Sequence, residues 1–215
     1  MLMLLPHTEP LHKVTIIPRG PSLGSTMWLP EEDKYTNRKN ELLASLAVAM
    51  GGRVAEEITF GDITNGARGD IKGATAIARR MVCEWGMSEK MGMVEYGEHE
   101  DYVFLGRELT RNRDYSEATA EQIDQEVRKL IDDAYHLAKN TLIANREKLE
   151  TIAKALLEFE TLDGSQIKEI IEHGRLIHPP PGVGGPPSQK PAPEKPPKQV
   201  VAPDVAPPLP GALPA

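Results

Sequence analysis

Six histidines, one cysteine and 32 carboxylates against 25 basic side chains are what this sequence offers for chemistry. A catalytic zinc needs three protein donors from His, Asp or Glu and keeps one position open for water. Two histidines at i and i+4 would share one face of a helix, and no pair here has that spacing. His7 and His12 are five apart in a proline-rimmed turn, and His173 and His178 stand on either side of a helix end. His99-Glu100-Asp101-Tyr102-Val103 opens with His-Glu but has Val103 where a second histidine is needed. One carboxylate stands out instead. In Thr64-Asn65-Gly66-Ala67-Arg68-Gly69-Asp70-Ile71-Lys72-Gly73-Ala74-Thr75, a glycine-bearing loop delivers Asp70 to the start of a helix. Local chemistry reads Asp70 as an N-cap that accepts from the free N–H groups of the first turn. The same carboxylate can instead serve as a metal donor. Cys83, alone and in an apolar stretch, excludes an internal disulfide and a cysteine zinc cluster and reads as inert core in a reducing cytosol. No Gly-Lys dipeptide occurs, so these residues hold no P-loop.

The elements that must position Asp70 follow from periodicity. Residues 1–36 read as extended, with a β-branched strand Val14-Thr15-Ile16-Ile17 stopped by Pro18-Arg19-Gly20-Pro21 and a second strand from Gly24 to Leu29. Residues 37–92 read as two helices. Leu42, Leu43, Leu46, Met50, Val54 and Ile58 recur at helical spacing in the first, where Gly51-Gly52 predicts a bend or another backbone passing closely. The second starts at Asp70, puts Ile71, Ala74, Ala78, Met81 and Trp85 on one face, and is capped by Gly86. Residues 93–115 read as loop, with a short strand at Tyr102-Val103-Phe104-Leu105.

From Ser116, a natural N-cap, the stripe Ile123, Val127, Leu130, Ala134, Leu137 and Ala138 predicts a long helix that breaks near Asn145. A shorter helix follows with Leu149, Ile152, Ala153, Leu156 and Leu157, forming an antiparallel hairpin with the first. Asp163 opens a last helix, with Ile167, Ile170 and Ile171, closed by Gly174. The expected architecture is mainly α: a helical domain over residues 1–177 with a small β-hairpin presenting an edge strand, and a C-terminal helical hairpin. Residues 178–215, rich in Pro, Ala, Gly and Val, read as a disordered tail whose Pro-x-x-Pro spacings need carry no ligand role.

Composition narrows the function classes. With 40% hydrophobic but only 5% aromatic residues, the core must be filled by Leu, Ile, Val, Met and Ala. A net charge of −7 argues against nucleic acid as a partner. No apolar run reaches the roughly 18 residues of a membrane span, and Met1-Leu2-Met3-Leu4-Leu5, stopped at Pro6, makes a poor signal peptide.

Several segments resemble, in order, FtsH-type ATP-dependent zinc metalloproteases of peptidase family M41. They are His12-Lys13-Val14-Thr15-Ile16-Ile17-Pro18-Arg19-Gly20, Gly51-Gly52-Arg53-Val54-Ala55-Glu56-Glu57, Asn65 to Thr75, Met81-Val82-Cys83-Glu84-Trp85-Gly86-Met87-Ser88 and Ile123-Asp124-Gln125-Glu126-Val127. The likeness runs from about Pro6 to about Arg175. It implies a helical metallopeptidase domain that uses zinc, with Asp70 as the third ligand. Glu56 or Glu57 becomes a candidate to orient a ligating histidine, and an exposed structural carboxylate is the competing reading for each. Gly24, Ser25, Thr26, Met27, Trp28 and Leu29 match a strand on which an unfolded substrate is laid by strand addition. Arg53 is expected in a structural ion pair, and Trp28 and Trp85 in the core or at its rim.

In the family the other two ligands and the general base come from a helical His-Glu-x-x-His, which the resemblance places just before Met1. The resemblance also implies a homo-hexamer with an ATP-using AAA+ module, unfolded or membrane-protein substrates, a role in protein quality control, and a membrane-anchored parent facing the cytoplasm. The chain itself is expected to be cytoplasmic and inactive on its own, as a gene-model truncation or a real loss. The alternative is a non-catalytic helical assembly module or pseudo-protease subunit.

Overall fold

The computed structural model describes residues 1–20, 23–29, 35–97 and 115–180, all within one compact unit, Met1–Pro181. Two strands come first, β1 (Leu11–Thr15) and β2 (Ser25–Trp28), followed by α1 (Lys39–Phe60) and α2 (Arg68–Cys83). After these stand α3 (Glu117–Ala144), α4 (Arg146–Phe159), β3 (Thr161–Asp163) and α5 (Gly164–His173). The domain is mainly helical, as expected. The expected strand at Tyr102–Leu105, the His99–Val103 segment and the tail from residue 181 lie outside the described residues.

Helical apolar spacing makes α1, α2 and α3 one layer around a shared core. Leu46, Ala47 and Val54 of α1, Ala74, Ala78 and Met81 of α2, and Ala134, Ala138 and Leu142 of α3 are buried together. Small residues at the facing positions let α1 and α2 lie close to α3. α1 runs unbroken through Gly51-Gly52. No other backbone passes closely there among the described residues; the neighbour is a side chain, and a Cβ on Gly51 would stand 2.9 Å from Cγ of Met1. Glu41 reaches back to the Arg38 N–H at 3.0 Å to start α1, and Gly61, at φ 67°, ends it.

β1 pairs antiparallel with β2 on one side and with β3 on the other, giving the order β2-β1-β3. The register is Val14 opposite Thr26 and Leu162, with a bulge between Leu11 and Lys13. The first strand ends before Ile16 and Ile17, two residues short of the expectation. Thr15 explains the stop: its Oγ1 accepts from Ile17 N (3.2 Å) and donates to Glu160 O (3.1 Å), turning the chain out of the sheet. β3, only three residues long, gives no periodicity to read in the sequence. Its Leu162 is fully buried with Leu156, Ile167 and Ile170, beneath Leu11 and Val14.

Ser116 caps α3 by accepting from Thr119 N, and Asp163 caps α5 in a reciprocal pair with Gln166. Both caps and the closing Gly174, at φ 70°, agree with the sequence reading. The hairpin of α3 with α4 does not. A single residue, Asn145, separates the two helices, which leaves no loop for the chain to reverse. α3 packs on α1 and α2, while α4 packs on α5 and β3. Five residues assigned to apolar faces, Ile71, Trp85, Leu137, Ala153 and Leu157, are exposed. α2 ends at Cys83, and Gly86, at φ 57°, then reverses the chain so that Met87 N reaches Met81 O.

Candidate metal centre

Asp70 lies in the first turn of α2 and is not its cap. The helix begins at Arg68, with Ala67 at the capping position and no side-chain cap. Arg68 N donates to Asn65 O and Ile71 N to Ala67 O, so the turn closes before Asp70 is reached. Burial of Ala67, 7% exposed, fixes that starting point, a packing effect that side-chain capping rules do not carry. Asp70 is therefore the third helical residue, exposed, beside the positive end of the helix dipole. Its carboxylate makes no hydrogen bond or ion pair among the described residues.

What holds this turn is the loop before it. Glu56, on α1, accepts from Thr64 N at 3.1 Å through one carboxylate oxygen and from Thr64 Oγ1 at 2.9 Å through the other. Gly66 N donates to the same Oγ1 at 3.1 Å. One turn earlier on α1, Arg53 Nη1 donates to Thr64 O at 3.1 Å. Arg53 thus grips a carbonyl, and among the described residues the ion pair expected for it is not formed. The reason is positional: residues i and i+3 of a helix share a face, so Arg53 and Glu56 meet the same loop.

Glu57, the neighbouring carboxylate, faces another way. It accepts from Lys139 Nζ at 2.7 Å and from the Tyr135 hydroxyl, and Lys139 also donates to Tyr135 at 3.2 Å. The Lys139 hydrogen bond, then that of Tyr135, holds the Glu57 carboxyl below its ordinary range. Glu57 in turn pushes the Lys139 ammonium up. The group is one-third exposed and ties α1 to α3. Sequence reasoning treated Glu56 and Glu57 as equivalent. Tyr135 and Lys139 were unassigned, although their i, i+4 spacing marks one face of α3.

The strand candidates Ser25 to Trp28 form β2, exposed throughout and at the edge of the sheet, with Leu29 just beyond it. Trp28 is 52% exposed and Trp85 41%, so both sit at the rim. Cys83 is buried, and loss of hydration pushes its thiol up, as suits an inert core residue.

The donor chemistry can be tested against zinc. Asp70 offers hard oxygens with no competing partner, which suits one ligand of such an ion. Among the described residues, no group of three His, Cys, Asp or Glu side chains could hold a metal. The fit is thus that of a single donor. Among the same residues, no helix is long and apolar enough to cross a membrane.

Comparison with known proteins matches residues 1–170 to the model of peptidase family M41. An ATP-dependent zinc metalloprotease FtsH of Akkermansia muciniphila is 58% identical over 187 residues, 86% of this chain and 23% of that protein. FtsH 2 of Methylacidiphilum infernorum is 58% identical over 178 residues, 83% of this chain and 28% of that protein. FtsH 3 of Symbiobacterium thermophilum, also an ATP-dependent zinc metalloprotease, is 50% identical over 193 residues, 90% of this chain and 29% of that protein. The chain thus spans about a quarter of the length of these relatives.

Proposed function

The chain belongs to peptidase family M41, and from that premise we propose that it is the peptidase part of an ATP-dependent zinc metalloendopeptidase to which it contributes one metal ligand, Asp70. The observation that carries this reading is an unpartnered carboxylate on a helical turn whose preceding loop is bolted to α1. The remaining ligands and the general base come from protein outside these 215 residues, as does the module that uses ATP.

Zinc bound by such a set would polarise the scissile carbonyl and a water. The residues of this chain do the rest of the positioning. Asp70 presents oxygen from a fixed turn. Glu56 holds the loop, and through it the place where a ligating histidine must meet Asp70. β2, whose outer edge is unpaired among the described residues, takes an unfolded or membrane-derived polypeptide in extended form by main-chain hydrogen bonds, which read backbone more than sequence. The peptidase domain covers residues 1–177, and His178 just beyond it is still held to α5, its N–H donating to Glu169 at 3.0 Å. The whole protein works as a homo-hexamer at the cytoplasmic face of a membrane.

The test is direct. The purified 215-residue chain, supplied with zinc, should give no chelator-sensitive cleavage of casein. Robust cleavage abolished by a chelator would overturn the claim that the site is completed from outside.

A further inference from the structure

Among the described residues, the first turns of α2 have little to pack against. Residues 68–73 are all exposed, two of the six are glycine, and no side chain caps the helix. The buried contacts of α2 begin at Ala74 and continue through Ala78 and Met81. A helix end of this composition frays, because each glycine weakens the helix and the leading N–H groups lack side-chain partners. Among the described residues, Ala67 and the preceding loop secure it.

Within that loop, Thr64 uses every polar group it has. Its N–H and hydroxyl both donate to Glu56, its hydroxyl oxygen accepts from Gly66 N, and its carbonyl accepts from Arg53. Asn65 O then accepts from Arg68 N, which carries the constraint into the helix. We propose that Thr64 is a positioning residue of the Asp70 site: gripped by Arg53 and Glu56, it holds the first turn of α2, and so the Asp70 carboxylate, in a fixed place relative to α1. As far as metal is concerned this rests on Asp70 being a ligand; the clamp itself stands on the hydrogen bonds alone.

Hydrogen–deuterium exchange of the 215-residue chain tests the clamp without any metal. Thr64→Val keeps the shape and removes the hydroxyl, and it should speed exchange at residues 66–71 by about tenfold. Thr64→Ser keeps the hydroxyl and should restore rates close to those of the unsubstituted chain. Amides of α3 report folding in the same experiment. If they open too in Thr64→Val, Glu56→Gln, which weakens the acceptor from the other side, decides by the same local pattern. Unchanged exchange at 66–71 in the folded variants would overturn the proposal.

Zinc retention against a competing chelator, in the protein that supplies the remaining ligands, separates the two claims. Loss in Asp70→Asn, with weakening in Thr64→Val and recovery in Thr64→Ser, supports both. Loss in Asp70→Asn with full retention in Thr64→Val overturns the positioning role and leaves the ligand. Retention in Asp70→Asn overturns the ligand, and the exchange rates still decide the clamp.

Discussion

Gly164 is the point at which α5 meets the sheet that carries the candidate substrate strand, and replacing it by alanine should be costly. A Cβ there would lie 2.0 Å from Leu11 O and 3.1 Å from Leu11 C, whereas real Cβ contacts do not fall below 3.0 Å. The opposing atoms belong to the backbone of β1, so no side-chain rotation relieves the clash, and β1 or the start of α5 must retreat by about 1 Å. Gly164 directly follows Asp163, which pairs with Lys13 at the end of the β1–β3 ladder. Opening that end forfeits one or two ladder hydrogen bonds at roughly 1 kcal/mol each. Misfit in the packing beneath adds about 1–3 kcal/mol. Gly164→Ala should therefore destabilise the domain by about 2–4 kcal/mol, lowering Tm by roughly 5–15 °C. Gly73→Ala supplies the control. It places the same methyl in open space on an exposed part of α2 and should stabilise by about 1 kcal/mol. Urea and thermal denaturation followed by circular dichroism read both. A Gly164→Ala protein within about 0.5 kcal/mol of the parent, or equal losses at both glycines, would refute the steric argument.

Two further outcomes follow from the geometry. Glu57 is held below its ordinary value of 4.5, so its contribution is present above that pH and disappears as pH falls through its lowered value. Lys139 is raised above 10.5, so its share holds below that pH and fades only as pH rises through the raised value. The stability gap between the parent and Glu57→Gln should thus be level from about pH 5 to pH 10 and narrow on acidification; a gap that stays level or widens in acid would contradict the assignment. On β2, Ser25 and Thr26 are neighbours in register with Thr15 and Val14, so one N–H points to β1 and the other outward. Ser25→Pro and Thr26→Pro should therefore split, one losing about 1 kcal/mol or more and the other folding normally but failing to capture an extended peptide in a fluorescence polarisation assay. Peptide capture undiminished in both would remove β2 from the substrate path.

The parts legible in the sequence were those set by short-range rules. The helical stripes of α1 and α3, the Ser116 and Asp163 caps and the αL Gly174 all depend on residues within a few positions of one another. What escaped depends on distant partners. β3 exists because Leu162 fills the space between β1 and α5, and a three-residue strand has no pattern to betray it. The start of α2 is fixed by burial of Ala67, so Asp70 moved from cap to first turn. Glu56 and Glu57 are adjacent and chemically identical, yet one grips a loop and the other α3, because 100° of helical rotation separates them. Thr64 stood inside the segment that drew attention to Asp70, and its role needed the face of α1 opposite it.

Zinc content per chain after desalting tests the central claim most directly. The 215-residue chain should retain no stoichiometric zinc, since its described residues bring no three donors together. The same chain joined to a helix bearing His-Glu-x-x-His should retain one zinc per chain and lose it on Asp70→Asn. One zinc held by the chain alone, or held by the joined chain despite Asp70→Asn, would contradict the assignment of Asp70 as one donor of a site completed from outside.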